Sequence, residues 1–313
     1  MAIDKKFIDQ FINVTSKAAL KSSYLVGKKD KIAADKAAVD SMRSNLNSLD
    51  IQGQIVIGEG ELDEAPMLYI GEKLGTNKGP EFDIAVDPLE GTNFAANNFP
   101  GALSVIAIGE KNSLFNAPET YMEKISARVS EKNVIDLDYT VKKNIFNLSD
   151  YLNKNPENLT VCILDRPRHK KIIDELIKLN VNLKLITDGD VSGALLVTEK
   201  KYSVDLFLGI GGGPEGVLAA AALDSYNCVF QGRFLFKTDE DKERAKKMGI
   251  NDLTKKYKLN EIVTGDSIFC ATGITSGDLV SGIEIQGNDF ISETLVTHKS
   301  SGLKKVIKLK QNL

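Results

Sequence analysis

Apolar positions recur every three or four residues at the start of the chain. The pattern predicts two opening helices, over about 4–25 and about 29–48. One stripe of the second helix contains Lys28, Ile32, Asp35, Val39, Met42 and Leu46. Asp35 therefore lies on an otherwise apolar side, where a carboxylate is either at the edge of the stripe or held inward by a cation.

Further along, short apolar runs replace the helical period. A strand is predicted over Gln54–Ile57, followed by a helix around 64–74 and by strands in "DIAV" and "ALSVIAIG". In the second half, the runs "LTVCIL", "VNLKLI" and "VDLFLGI" each precede a helical segment. This alternation predicts the α/β class with a largely parallel, doubly wound sheet. A charged helix near 238–249 and an exposed edge strand at the C-terminus complete the pattern, and we expect one compact molecule divided near residue 150, into 1–150 and 151–313.

Composition excludes several classes of protein. The chain has 313 residues, 42% of them apolar, and a net charge of -3, which does not favour a nucleic-acid partner. No apolar run is long enough to span a membrane, and the N-terminal segment does not resemble a signal peptide. Three scattered cysteines favour a reduced, cytoplasmic setting. His169 lies in a basic loop, which fits either a solvated side chain or one that contacts substrate.

Carboxylates collect at the ends of the predicted elements. Besides Asp35, they lie in "GEGELDE" (Glu59, Glu61, Asp63, Glu64), in "DPLEGT" (Asp87, Glu90, with Thr92) and in "GGPEG" (Glu215). Each segment alone also fits a solvated turn or a helix cap. Together they favour a site for hard divalent cations such as Mg²⁺ or Mn²⁺, in which Thr92 can orient a water molecule.

Two other segments follow strands and suit anions. Arg166 and Arg168 flank Pro167 in "DRPRH", a rigid pair of guanidiniums suited to phosphate, although a solvated loop is the alternative. "GGGPEG" formally matches a dinucleotide-binding turn, but Glu215 would place negative charge where a pyrophosphate should bind. Its glycine-rich amides remain suited to a single phosphate.

Several segments, in order, resemble one known family. "DPLEGT" resembles the signature of the metal-dependent, lithium-sensitive phosphomonoesterases. "VIGEGELDEAPMLYIGEKLG", "NAPETYMEK", "RPRH", "DGD", "GIGGGPEGV" and "FCATGIT" resemble class II fructose-1,6-bisphosphatases, over about residues 30–297. The chain departs from the family at Asn93, where a basic residue is often found.

The resemblance implies a fold, a reaction and a set of site residues. The fold is the layered αβαβα sandwich of the sugar phosphatases, and the reaction is metal-dependent hydrolysis of fructose 1,6-bisphosphate at the 1-phosphate, a step of gluconeogenesis. The implied ligands of two or more Mn²⁺ or Mg²⁺ ions are Asp35, Glu59, Asp87, Glu90 and Glu215. Substrate contacts are implied for Glu90, Gly91, Thr92, Tyr121, Arg166, Pro167, Arg168, Asp188, Gly189, Asp190 and Gly212, and catalytic roles for Thr92, Asp63 and Lys31.

Two alternatives stay open on the same site residues. One is a phosphatase for another phosphomonoester, such as sedoheptulose 1,7-bisphosphate or an inositol phosphate. The other is a non-catalytic sensor of sugar phosphates. The paired arginines favour a bisphosphate ligand, and such enzymes are commonly homodimers or homotetramers.

Overall fold

The structure is a computed structural model that describes residues 2–58, 67–131, 133–226 and 228–313. Its helices are α1 (Lys6–Ser23), α2 (Lys31–Asn47), α3 (Thr92–Asn97), α4 (Val141–Leu152), α5 (Lys170–Lys178), α6 (Asp190–Leu195), α7 (Gly213–Leu223), α8 (Asp239–Lys247) and α9 (Leu259–Ile262). Its strands are β1 (Gln52–Ile57), β2 (Lys73–Leu74), β3 (Glu81–Glu90), β4 (Leu103–Glu110), β5 (Tyr121–Ala127), β6 (Thr160–Leu164), β7 (Asn182–Ile186), β8 (Leu206–Gly212), β9 (Val229–Leu235), β10 (Lys256–Lys258), β11 (Ser267–Gly273), β12 (Glu284–Gln286), β13 (Asp289–His298) and β14 (Leu303–Asn312).

The chain forms two compact units, one of which is discontinuous. Unit 1 comprises Met1–Asn116 and Val263–Leu313, and unit 2 comprises Ala117–Ile262. The expected division near residue 150 differs from this one. The reason lies in strand pairing, because β11 hydrogen-bonds to β4 and so returns the C-terminal segment to the first sheet.

Unit 1 is a mixed sheet with helices packed on it. The strand order is β12-β13-β11-β4-β3-β1-β2, and β14 pairs with β13 at the edge, as the alternating tail predicted. Helix α1 lies on β11, β13 and β4. Its aromatic side chains reach the sheet, where the Phe7 and Phe82 ring centroids are 5.2 Å apart in an edge-to-face arrangement.

Two sequence predictions in unit 1 are wrong. Residues 67–74 form a turn and β2 instead of a helix, because Gly71 takes a left-handed φ of 94° and its N–H donates to the carbonyl of Ile55 on β1, 2.8 Å away; residues 64–66 lie outside the described ranges. The apolar stripe of α2 starts later than expected. Lys28 precedes the helix and Ile32 is 82% exposed, whereas Val39, Met42 and Leu46 are buried.

Unit 2 contains the second sheet, of order β10-β9-β5-β8-β6-β7. The pairs β6–β7 and β6–β8 are parallel, but β5 is antiparallel to both β8 and β9. The expectation of a largely parallel sheet is therefore wrong. Strand β5 lies in a stretch of sequence without a clear hydrophobic period. It inserts between β9 and β8 and runs antiparallel to both. The expected α/β class is confirmed by the two sheets and the helices connected to them.

No helix within the described part of the chain is both long enough and apolar enough to cross a membrane.

Candidate functional site

In unit 1, the segment "DPLEGT" forms an irregular strand end. The pairing of β3 with β4 shifts register between Asp87 and Glu90, which fits the proline between them because proline has no N–H to donate. Gly91 then takes a φ of 80°, and α3 begins at Thr92. Asp87 is left half-buried and Glu90 buried, so two carboxylates and one hydroxyl follow one another at this turn.

Helix α2 carries Asp35 and Lys31 and packs beside α3, the helix that follows this turn. The Asp30 side chain caps the helix by accepting the N–H of Ala33 at 2.9 Å. Just before it, the backbone N–H groups of residues 27 and 29 donate to the carbonyls of residues 95 and 96 on α3, each at 2.9 Å. Helix α2 also packs on β3. Asp35 is half-buried, and Lys31 is exposed at the first position of the helix.

The carboxylates fit a divalent cation by donor type and burial. Predicted ligand Glu59 and predicted catalytic residue Asp63 lie outside the described residues. Over the ranges that are described, no group of three or more His, Cys, Asp or Glu side chains is arranged to hold an ion. The donor atoms are nonetheless all oxygen, and Glu90 is only 5% exposed. A carboxylate in such a buried position is stabilised by a neighbouring positive charge.

In unit 2, the predicted phosphate and sugar residues lie at the carboxyl ends of the parallel strands. After β6, Pro167 opens a short 3-10 turn, Pro167–His169, which Arg166 precedes and which contains Arg168. The guanidinium of Arg166 lies 3.7 Å from a carboxylate oxygen of Asp188, which follows β7. Arg168 donates its Nε–H to the carbonyl of Ile210 on β8, at 2.9 Å. Three separate strand ends are thereby joined.

His169 holds the arginine loop (Arg166–Arg168) in place through buried hydrogen bonds. It is fully buried, so neither the solvated side chain nor the substrate contact considered from sequence is found. Its Nδ1 lies 2.7 Å from the carbonyl of Leu164, and its Nε2 accepts the N–H of Ile210 at 2.7 Å. These contacts define the neutral tautomer with the proton on Nδ1. Burial lowers the pKa of His169, which preserves that neutral form.

Two cations lie over one exposed aromatic ring. The Cζ of Arg168 is 4.9 Å and the Nζ of Lys237 is 4.5 Å from the ring centroid of Tyr121. Tyr121 opens β5 and pairs with Gly212 of β8. Lys237 was missed from sequence, because a lysine in a polar loop after a strand carries no signal of its own.

The glycine-rich turn, "GGGPEG" at residues 211–216, leaves space for two carboxylates. A Cβ on Gly211 would overlap the Asp190 carboxylate, and one on Gly212 would overlap that of Glu215. Neither glycine has a positive φ, so space and not backbone conformation requires them. The carboxylates of Asp190 and Glu215 therefore place negative charge at this turn, where a dinucleotide pyrophosphate would have to bind.

The turn also surrounds a residue that sequence analysis missed, Lys124. Its side chain is 1% exposed and its ammonium is paired with Asp190, at the N-terminal end of α6 just after the left-handed Gly189. Burial raises the pKa of the Glu215 carboxyl, and the charge of Lys124 acts against that rise. A divalent cation beside Glu215 would act in the same direction as Lys124, so this carboxylate also fits a metal ligand.

Comparison with known proteins identifies the family. The family model described as "Bacterial fructose-1,6-bisphosphatase, glpX-encoded" matches residues 5–311. The chain is 43% identical over 306 residues to fructose-1,6-bisphosphatase 1 class 2 of Escherichia coli K12, covering 93% of this chain and 91% of that protein. It is 39% identical over 324 residues to a D-fructose 1,6-bisphosphatase class 2/sedoheptulose 1,7-bisphosphatase of Synechococcus, covering 96% and 93%.

Among solved structures, an inositol monophosphatase from Anabaena aligns over 62% of this chain and 71% of its own, with 14% identity and a TM-score of 0.32, a likeness too weak to extend the assignment. The sequence matches are decisive by their length and identity: the chain belongs to the bacterial class 2 fructose-1,6-bisphosphatase family.

Proposed function

We propose that the protein hydrolyses the 1-phosphate of fructose 1,6-bisphosphate, giving fructose 6-phosphate and inorganic phosphate. Membership of the family supports the reaction. The observation that carries the choice of a bisphosphate is the cluster in unit 2, where Arg166 and Arg168 lie beside Tyr121 and Asp188. Guanidiniums suit a phosphate, and a neighbouring carboxylate suits sugar hydroxyls.

In this proposal, unit 2 binds the part of the substrate that does not react. Arg166 and Arg168 hold the 6-phosphate, with Pro167 keeping them apart and Tyr121 beneath Arg168. Asp188 and Asp190 accept hydroxyl hydrogens of the sugar, next to Gly189 and Gly212. Binding energy from these contacts fixes the orientation of the reacting end, and orientation is a large part of the catalysis of phosphoryl transfer.

The reacting end is assigned to acidic residues. Asp35, Glu59, Asp87, Glu90 and Glu215 would hold two or more Mn²⁺ or Mg²⁺ ions. When bound, these ions supply positive charge to the transferring phosphoryl group and ease deprotonation of the attacking water.

The residues around the turn after β3 would position that water. Thr92 would donate its hydroxyl hydrogen to Asp63, so that its Oγ1 accepts a hydrogen from the water and orients it for in-line attack. Gly91 keeps the backbone of this turn free of a side chain, and Lys31 supports the site with its positive charge. The water attacks phosphorus directly, so no covalent phospho-enzyme is formed.

Cellular setting and assembly belong to the same proposal. Cys162, Cys228 and Cys270 form no disulfide with one another, which supports a reducing compartment such as the cytoplasm. Assembly as a homodimer or homotetramer stays a prediction.

The test is phosphate release before and after metal removal. The protein would be treated with a chelator, dialysed, and assayed with fructose 1,6-bisphosphate, with and without added Mn²⁺ or Mg²⁺. Sedoheptulose 1,7-bisphosphate, fructose 1-phosphate and inositol 1-phosphate would be run alongside. The proposal requires metal-dependent turnover of fructose 1,6-bisphosphate and little turnover of the monophosphates.

Other results would select other functions. Faster turnover of sedoheptulose 1,7-bisphosphate would make that sugar the main substrate. The name of the Synechococcus relative includes this second activity. Equal rates on monophosphates would remove the role given to the arginines. Binding of sugar phosphate without turnover under any metal would favour the sensor.

A further inference from the structure

A lysine is buried in the middle of the second sheet. Lys124 lies on β5, between β8 and β9, and is among the largest fully buried side chains. An ammonium in such a place is unfavourable unless neighbouring groups compensate for its lost hydration. A strand that needed only to pack would carry an apolar residue at this position, so the partners of Lys124 indicate what it is for.

Its partners come from two different elements of unit 2. The ammonium pairs with Oδ2 of Asp190, at the start of α6. It also donates to the carbonyl oxygen of Gly212, at 2.5 Å, at the end of β8. The stem of the side chain is close to α7 as well, because a Cβ on Gly216 would lie 3.7 Å from its Cδ. Lys124 thus connects the start of α6 to the glycine-rich turn.

The pairing leaves one acceptor of Asp190 available. The side chain of Asp190 is 8% exposed, and its Oδ1 is a buried atom with no hydrogen-bond partner among the described residues. A buried carboxylate oxygen without a donor is costly, and such atoms mark places where a ligand donates. Lys124 holds Oδ2, so the direction of Oδ1 is fixed before any ligand arrives.

We propose that Lys124 is a positioning residue for sugar recognition, which holds the Asp190 carboxylate and the Gly212 carbonyl so that Oδ1 of Asp190 accepts a hydroxyl of the bound sugar phosphate. The inference rests on the proposed function, since it assigns Asp190 to the sugar. Lys124 itself touches no substrate. It acts by removing the rotational freedom of Asp190, and Gly211 leaves the space in which that carboxylate lies.

The test combines binding with a double-mutant cycle. Binding of fructose 6-phosphate would be measured by calorimetry in metal-free buffer, and KM and kcat for fructose 1,6-bisphosphate with metal restored. The variants are Lys124→Met, which removes the ammonium at similar length, Lys124→Gln, which keeps a donor, Asp190→Asn, and the double variant Lys124→Met/Asp190→Asn. Thermal unfolding reports whether each variant is folded.

The proposal predicts a specific pattern. Lys124→Met weakens fructose 6-phosphate binding and raises KM by about tenfold or more, the range expected for a lost hydrogen bond to a charged group. Lys124→Gln recovers part of the loss. The double variant binds about as weakly as Asp190→Asn alone, because Lys124 acts through Asp190. The double variant also removes both charges of the buried pair, so no unpaired charge of that pair is left. We therefore expect it to fold even if Lys124→Met alone does not.

Three results would overturn the inference. One is a folded Lys124→Met variant with unchanged KM and unchanged binding, which would reduce Lys124 to a structural role. The second is additive losses of binding free energy in the double-mutant cycle. If Lys124→Met does not fold, a double variant that binds fructose 6-phosphate much more weakly than Asp190→Asn overturns the inference equally. The third is a wild-type protein that does not bind fructose 6-phosphate, in which case the proposed function fails too. Wild-type binding without turnover would remove only the catalytic part of that function.

Discussion

Thr92 is the residue whose replacement separates chemistry from binding. In the proposed mechanism its hydroxyl orients the attacking water, and most of the substrate binding comes from the other contact residues, among them Arg166 and Arg168. Thr92→Ala should lower kcat by about a hundredfold, within the range for a group that directs proton transfer, while KM changes little. Steady-state kinetics measures both, and Thr92→Ser, which keeps the hydroxyl, is the matched control. An alanine variant with unchanged kcat would remove Thr92 from the mechanism.

Lys237 makes a different prediction, for the distal phosphate. Because it lies over the Tyr121 ring together with Arg168, it adds positive charge beside the arginine pair. Lys237→Ala should raise KM for the bisphosphate about three- to tenfold with kcat nearly unchanged, the effect of removing one exposed cation from a phosphate site. Lys178→Ala, at the far end of α5, is the control for net charge. Equal effects of the two replacements would show that only overall charge matters.

His169 links the arginine loop to pH. Burial lowers its folded-state pKa below the ordinary value of 6.5, so the unfolded chain takes up a proton at a pH where the folded protein does not. The free energy of unfolding contributed by His169 is therefore complete above about pH 6.5 and is lost as the pH falls towards the folded-state pKa.

Urea unfolding of the wild type and of His169→Gln between pH 8 and 5 would measure this contribution. Below pH 6.5 the wild type should lose up to about 1.4 kcal/mol per pH unit more than the variant, the limit for one proton. Curves that stay parallel over the whole range would mean that His169 is not the titrating group.

At the scale of elements, sequence patterns predicted what local periods encode. The helices α1, α2, α5, α7 and α8 and the edge strand β14 were found close to their expected positions. The failures share a cause. Strand β5 forms by pairing with β8 and β9, which are distant in sequence. The turn around Gly71 is held by a hydrogen bond to β1. The local hydrophobic period contains no information on such pairing.

Packing of α1 on the first sheet depends on a buried chain of hydroxyls. Thr272 on β11 donates to Thr15 of α1 at 2.7 Å and lies 2.7 Å from Thr294 of β13. Thr272→Val should lower the free energy of unfolding by about 1–3 kcal/mol, because it leaves buried hydroxyls on both sides without their partner. Urea unfolding measures the loss.

A double variant distinguishes this cause from a simple packing change. Thr272→Val/Thr294→Val should cost less than the sum of the two single replacements, since the second removes a group that the first left unsatisfied. Additive losses would mean that the hydroxyls of Thr272 and Thr294 are not coupled.

At the scale of the whole molecule, the sequence indicates the chemistry proposed for the site more readily than the way in which the fold assembles it. Asp87, Glu90 and Thr92 are adjacent along the chain, and Arg166 and Arg168 flank one proline, so their composition alone indicated cations and phosphate. Lys124 and Lys237 gave no such signal. Their surroundings come from β8, α6 and β5, which only the folded chain brings together. The discontinuous unit 1 was missed for the same reason, since it depends on the pairing of β11 with β4.

The most direct test of the proposed reaction is to identify which phosphate is cleaved. Metal-depleted protein would be supplied with Mn²⁺ and fructose 1,6-bisphosphate, and the products followed by ³¹P nuclear magnetic resonance. We expect signals of inorganic phosphate and fructose 6-phosphate to grow together, and no reaction without the metal. Formation of fructose 1-phosphate, or the same rate in the presence of a chelator, would contradict it.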